Sequence, residues 1–241
     1  MRIFTLFIAL MFALGCKDQP KEGASPSEES PMASGSDTLI YPGETHFKSI
    51  RQVTFGGDNA EAYWSFDDRK LIFQSNYEDW GLQCDQMFVM EAGETFADHK
   101  PPMVSTGLGR TTCGYFLPDN QHIVYASTHL DNDACPEVPL RVNGRYVWPV
   151  YDSFDIFVAD LEGNITAQLT DTPGYDAEAT VSPKGDKIVF TSDRSGDLEL
   201  YTMNLDGSGV TQITDELGYD GGAFFSPDGS HILKKKKKGS Y

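Results

Sequence analysis

Between residues 46 and 233 the apolar positions fall into short β-branched and aromatic runs, and no stretch carries the 3.6-residue period of a helix. Three of these runs are near copies: Leu71-Ile72-Phe73-Gln74-Ser75, Ile123-Val124-Tyr125-Ala126-Ser127 and Ile188-Val189-Phe190-Thr191-Ser192. Length and composition predict strands. Each run follows a second segment of matching pattern, and this pattern occurs four times, beginning at Gly57, Gly109, Gly174 and Gly218. Turn chemistry joins the two segments, most clearly in Ser226-Pro227-Asp228-Gly229, where proline presets φ and glycine accepts a positive one. Each unit is therefore expected to hold a tight hairpin.

A third strand is predicted at Gln86-Met87-Phe88-Val89-Met90, Asp155-Ile156-Phe157-Val158-Ala159 and Glu199-Leu200-Tyr201-Thr202-Met203. A fourth precedes the next copy, at Gln52-Val53-Thr54, Val104-Ser105-Thr106, Gln168-Leu169-Thr170 and Gln212-Ile213-Thr214. Units of four antiparallel strands, repeating at about 44 residues where insertions are absent, predict an all-β chain folded as a β-propeller. The turn, the Ile-Val-Phe strand and the following Asp-x-Leu/Ile-Tyr/Phe strand resemble the repeats of TolB-like, WD-like propellers. That resemblance spans roughly Gln52 to Leu233.

The fourth copy departs from its own pattern. Lys234 stands where the other copies have Phe73, Tyr125 and Phe190, and Lys235 to Lys238 replace the rest of the strand. Since similar propellers close six or so blades, about three and a half are expected here, with residues 234–241 an aberrant end of a truncated or frameshifted chain. A basic tail that binds anionic lipid is the alternative.

The amino terminus sets the compartment. Met1-Arg2 is a short positive segment, and Ile3 to Leu14 is an apolar run about as long as the core of a signal peptide and too short to span a bilayer comfortably. Ala13-Leu14-Gly15-Cys16 resembles the lipobox of bacterial lipoproteins, which makes residues 1–16 a lipoprotein signal and Cys16 the lipidated residue. Residues 17–45, rich in Ser, Pro, Glu and Gly, form a tether with too little apolar surface to fold alone. Lys17-Asp18 resembles the sorting signals of surface-exposed Bacteroidetes lipoproteins. The expected location is the cell envelope, with the lipid anchor in the outer membrane, on its periplasmic face or at the cell surface.

Net charge changes the picture mainly by exclusion. A formal charge of −17, despite the lysine run, argues against binding nucleic acid or other phosphate-rich partners. No nucleophile elbow, no His-Glu-x-x-His and no phosphate-binding glycine loop occurs, and neither an enzyme nor a cofactor is expected. Metal is not expected either, because His129, Asp131, Asp133, Cys135 and Glu137 follow no zinc or calcium spacing.

Three groups of candidate residues remain. Asn59, Thr111, Asp176 and Asp220 share one repeat column, with Glu61 and Glu178 two positions further on. Innermost propeller strands line the channel, so these six are expected at its mouth, although short polar residues at strand starts also bond loop backbone. Cys84 and Cys113 fall in neighbouring blades and suit either a disulfide in an oxidising compartment or two buried thiols, leaving Cys135 unpaired. Tyr146, Trp148 and Tyr151, in the insertion after the second hairpin, suit either a contact surface or packing over the blade edge.

The family resemblance implies a non-catalytic scaffold that binds an envelope protein partner on the propeller face. Two alternatives stand beside it: the gating domain of a prolyl-oligopeptidase-like peptidase, and a propeller that binds a glycan or small ligand. Cys16→Ala is expected to move the protein from the membrane fraction to the soluble fraction, because several buried acyl chains anchor a protein firmly and their loss leaves only an exported domain. Fractionation and immunoblotting check this; retention on membranes would exclude the anchor.

Overall fold

The computed structural model describes residues 39–138 and 149–237. The chain divides into two compact units, residues 1–51 and 52–241. In the first, the described residues 39–51 form turns, such as the one closed by the Glu44 N–H on the Tyr41 carbonyl at 3.0 Å, and no strand. The second holds thirteen described β-strands and one 3-10 turn at Glu78–Trp80.

The strands group into four successive antiparallel sheets, or blades. Blade 1 contains β1 (Asp58–Trp64), β2 (Lys70–Asn76) and β3 (Gln86–Glu91). Blade 2 is β4 (Thr111–Phe116), β5 (His122–Ser127), β6 (Asp155–Asp160) and β7 (Ile165–Gln168). Blade 3 is β8 (Asp176–Val181), β9 (Lys187–Ser192), β10 (Glu199–Asn204) and β11 (Thr211–Gln212). Blade 4 is the pair β12 (Tyr219–Phe225) and β13 (Ile232–Lys237). Each sheet runs in chain order, which is what short hairpin connections impose.

Local chemistry explains the hairpins. Between the first two strands of blades 1, 3 and 4, the N–H of Ser65, Ser182 or Ser226 closes on the carbonyl of Lys70, Lys187 or His231 at 2.8–2.9 Å. The turn then needs one residue with positive φ, and Asp68, Asn120, Gly185 and Gly229 fill that place at 57°, 56°, 67° and 65°. Asp and Asn tolerate this region better than other residues with a Cβ, which is why the glycine of the motif can be replaced.

The outermost strands are shorter than the sequence pattern predicts. β7 and β11 end before Leu169-Thr170 and Ile213-Thr214, and in blade 1 the predicted Val104-Ser105-Thr106 strand is reduced to backbone bonds around a Phe88–Met103 bridge. A hydroxyl takes over part of the ladder. Ser105, Thr170 and Thr214 accept the N–H of Met87, Ile156 and Leu200 at 2.8–3.0 Å, while Ser105 and Thr170 also donate to Gln86 and Asp155.

The core lies between blades. Ile72, Met87 and Val89 of blade 1 pack with Phe116, Ile123 and Tyr125 of blade 2. Val124, Ile156 and Val158 of blade 2 pack with Ala179, Ile188 and Met203 of blade 3, and Val189 and Leu200 of blade 3 with Ala223 of blade 4. A sheet with two apolar faces gains about 1.5–3 kcal/mol for each large side chain it buries, and it buries them only against a neighbouring sheet. β4 and β8, flanked on both sides, are buried almost throughout; β1 is mostly exposed.

Two expectations are corrected. The disulfide joins Cys84 to Cys135, with Cα atoms 6.0 Å apart, and Cys113 is a buried free thiol. The insertion folds back onto blade 1, where the Gly109 N–H donates to the Asp133 carbonyl at 2.8 Å and draws Cys135 toward Cys84, while backbone geometry at Cys113 turns that side chain elsewhere. The lysine run, in turn, does not end the strand at Leu233: β13 continues to Lys237 and pairs with β12 at Tyr219. Along this strand Leu233 is 73% exposed and Lys235 is exposed.

Reduction should add two hydrogens to the mass of wild type and of Cys113→Ser, and none to Cys135→Ser. Urea unfolding of Cys135→Ser should show a loss of about 2–4 kcal/mol, the range for a disulfide closing a loop of this size. An unchanged mass for reduced Cys113→Ser would restore the Cys84–Cys113 pairing.

Candidate functional site

All four innermost strands are interrupted at the same place. The pairing register shifts between Ala60 and Tyr63, Thr112 and Tyr115, Ala177 and Thr180, and Gly221 and Phe224. Within each shift sits one residue with left-handed backbone: Glu61 (φ 52°), Cys113 (51°), Glu178 (58°) and Gly222 (56°). These are β-bulges, in which one extra residue is left out of the ladder and its side chain is re-aimed. Three of the four have a Cβ, and each such residue costs about 1–3 kcal/mol that the surrounding packing must cover.

The bulge residues all line one cavity of about 440 Å³, open to solvent and bordered also by Tyr63, Thr180, Tyr219, Phe224 and Lys235. Small residues come directly after the bulge at Ala62, Gly114, Ala179 and Ala223. At Gly114 the reason is steric: a Cβ there would lie 2.5 Å from Met87 Sδ and 2.7 Å from Ile72 Cδ1 of the adjoining blade.

Glu178 is the hub of this site. It accepts hydrogen bonds from Thr191 Oγ1 (2.7 Å), from Tyr219 Oη (2.7 and 2.8 Å) and from the Gly222 N–H (2.8 Å), so one carboxylate ties blade 3 to blade 4. Thr180 Oγ1 adds a 2.7 Å bond to the Ala223 carbonyl across the same seam. On the other side Tyr63 donates to Glu61, and its ring meets Tyr115 at 5.2 Å and Phe224 at 5.6 Å. Burial, aided by the Glu61 bond, pushes the Tyr63 hydroxyl well above its usual range.

Cys113 lies between the two carboxylates. Burial first, then the charges of Glu178 and Glu61, push its thiol far above the usual value, so it stays protonated and weakly nucleophilic at neutral pH. At the seam of blades 1 and 2, Gln74 Oε1 accepts both the Cys113 N–H and the Thr112 hydroxyl at 3.1 Å. Among the described residues, no group of three or more His, Cys, Asp or Glu side chains is arranged to hold a metal.

The six residues expected at the channel mouth divide. Glu61 and Glu178 line the cavity. Asn59, Thr111, Asp176 and Asp220 do not, because they precede the bulge and their partners are groups at the blade ends. Asn59 Nδ2 donates to the Gly56 carbonyl at 2.9 Å, Thr111 Oγ1 to the Asp85 carbonyl at 3.0 Å, Asp176 accepts from Arg194, and Asp220 faces Lys234. Tyr151 is half-buried against the blade 2–blade 3 core and donates to the Glu137 carbonyl at 2.9 Å, which is packing over the blade edge. Tyr146 and Trp148 lie outside the described residues, as does Cys16. The sequence pattern does not single out Cys113, Gly222 or the aromatic wall, although the bulge column, taken together with the small residue after it, contains the signal.

Glu178→Ala is expected to lower stability by about 2–3 kcal/mol, since Gly222 and Thr191 lose their acceptor. Glu178→Gly loses the same bonds and relieves the left-handed backbone, so its loss in urea unfolding should be smaller by about 0.5–1 kcal/mol. Equal losses would remove the strain argument.

Known proteins place these blades in context. Residues 149–241 match the family model described as the TolB beta propeller domain. The structure is similar to TolB from Acinetobacter baumannii, with a TM-score of 0.51 and 19% identity over 76% of this chain. It is also similar to a chain of the nidogen/laminin complex, with a TM-score of 0.52 and 14% identity over 75% of this chain. It spans 39% of the former and 57% of the latter. The fold is that of an incomplete, TolB-like β-propeller.

Proposed function

We propose that this chain is a non-catalytic propeller scaffold of the cell envelope, anchored in the outer membrane through lipidated Cys16, and that it receives a protein partner in the concavity lined by the bulge residues. One observation carries the reading: three separate strands hold a residue with a Cβ in left-handed backbone and aim its side chain into the same space, and the fourth bulges there at Gly222. A repeated strain of this kind, on a rigid framework, marks a surface used for recognition. The walls suit that use, with aromatic rings from Tyr63, Tyr219 and Phe224 and carboxylates from Glu61 and Glu178. Such a surface favours a partner presenting apolar and basic groups.

The chemistry of the walls favours binding over catalysis. The Cys113 thiol is held protonated, and Glu178 is engaged by three donor residues rather than poised as a base. The similarity to TolB and the lipobox-like Ala13-Leu14-Gly15-Cys16 support the envelope assignment.

Affinity purification from detergent-solubilised envelopes tests this. Wild type should carry a specific envelope protein, and the pair Glu61→Gln and Phe224→Ala should lose it while keeping the far-ultraviolet spectrum of a folded β-protein. Equal recovery with the double variant would remove the concavity as the binding surface.

A further inference from the structure

The seams between blades repeat a second arrangement, at the blade ends rather than in the cavity. Asp176, 1% exposed at the start of β8, is met by Arg194, which lies two residues past β9. One guanidinium nitrogen of Arg194 reaches both carboxylate oxygens at 2.9 Å, its Nε donates to Ser192 Oγ at 2.8 Å, and the group lies 5.3 and 5.1 Å from the rings of Phe190 and Tyr201. Asp155, the first residue of the third strand of blade 2, is close enough that the Asp176 charge raises it after burial does. Two acids and one stacked guanidinium thus occupy this seam.

The next seam repeats the acids without the guanidinium. Asp220 corresponds to Asp176 and is 0% exposed; Glu199 corresponds to Asp155 and is 3% exposed. Lys234 Nζ stands 3.1 Å from Asp220 Oδ2, but among the described residues no hydrogen bond reaches either Asp220 oxygen or Glu199 Oε2. Burying a carboxylate without hydrogen bonds is costly, and a single ammonium at the side of the pair leaves that cost largely in place.

The seam of blades 1 and 2 gives the comparison. There the corresponding acid positions are Gln86 and Thr111, both neutral, and the position of Arg194 holds His129, tilted against Phe157 at 4.5 Å and lowered by burial toward its neutral form; the acid of this seam is Asp85, one residue before Gln86, and Arg110 meets it with a guanidinium. At both of these seams the acid at the blade end is met by a guanidinium, Arg110 on Asp85 and Arg194 on Asp176. By that rule we propose that Glu199 and Asp220 form a guanidinium seat at the blade 3–blade 4 seam, which takes an arginine side chain or a free guanidinium cation and which Lys234 fills only in part. Planar, forked donors match a carboxylate pair in a way that a point-charge ammonium does not.

The two sources of guanidinium are separable in the full chain by thermal unfolding. Lys234→Met, which removes the ammonium from the seat, should show a saturable rise in Tm of about 2–4 °C with millimolar ethylguanidinium, none with ethylammonium at equal ionic strength, and none when Asp220→Asn is added. For the source within the chain, Lys238 occupies the repeat position of Arg194, so Lys238→Arg should raise Tm by a similar amount and abolish the response to ethylguanidinium. An equal response to the two cations, or one that survives Asp220→Asn, overturns the proposal. If Lys234→Met does not fold, the Lys238→Arg and Asp220→Asn double-mutant cycle decides alone: additive effects overturn it and coupled effects support it.

Discussion

A residue forced into left-handed backbone in the middle of each innermost strand governs both the site and the seams. The extra residue shortens the regular part of the ladder, so the side chain before the bulge faces the blade end and the bulge residue faces the cavity. At Gly114 the residue directly after the bulge must be small, because Met87 and Ile72 of the neighbouring blade are already there. One backbone choice therefore sets where charge goes, how closely blades approach and which cysteine is out of reach of Cys84. Cys113, at φ 51°, is aimed into the cavity, and the disulfide passes to Cys135.

The bulge also creates a donor that two of the three seams answer from the preceding blade. Gln74 of β2 accepts the Cys113 N–H, and Glu178 of β8 accepts the Gly222 N–H. Gln74 is buried, where an unmet N–H costs more than the net gain of an ordinary hydrogen bond, while Glu178 works at the edge of the open cavity. These polar contacts thus fix the rotational position of one blade on the next, while the apolar clusters supply most of the attraction. Hydrophobic packing alone would permit sliding; the bonds do not.

Much of this architecture is legible in the sequence. Strand identity comes from the β-branched and aromatic runs, and hairpin order from the Pro-Asp-Gly-type turns, because both signals are local. The register of the bulge is not legible, since Glu61, Cys113, Glu178 and Gly222 share no chemistry and are alike only in φ. Their column, taken as a chemical motif, yields the two glutamates and misses the cysteine and the glycine. Placing the whole column at the channel mouth because the innermost strands line the channel puts Asp176 and Asp220 there instead of at the blade end, where the structure has them. The disulfide escapes prediction for a related reason: Cys135 lies in an insertion whose return path depends on a long-range backbone bond to Gly109, which no local pattern encodes.

The charge of the chain acquires a structural meaning at these seams. Acidic residues are not only a solvated surface here; Asp155, Asp176, Glu199 and Asp220 are half-buried or buried at the junctions of blades. Carboxylates in such positions stabilise a junction only when a cation with several donors meets them, and otherwise they weaken it. Arg194 does this for the seam of blades 2 and 3 by combining two bonds to Asp176 with stacking on Phe190 and Tyr201. Where Lys234 replaces the aromatic of the repeat, the same strand loses the ring on which a guanidinium would rest and gains an ammonium that reaches only one side of the acid pair. The seam of blades 3 and 4 is consequently held by Glu178, Thr180 and the Ala223 contact on the cavity side rather than by its charges at the blade end.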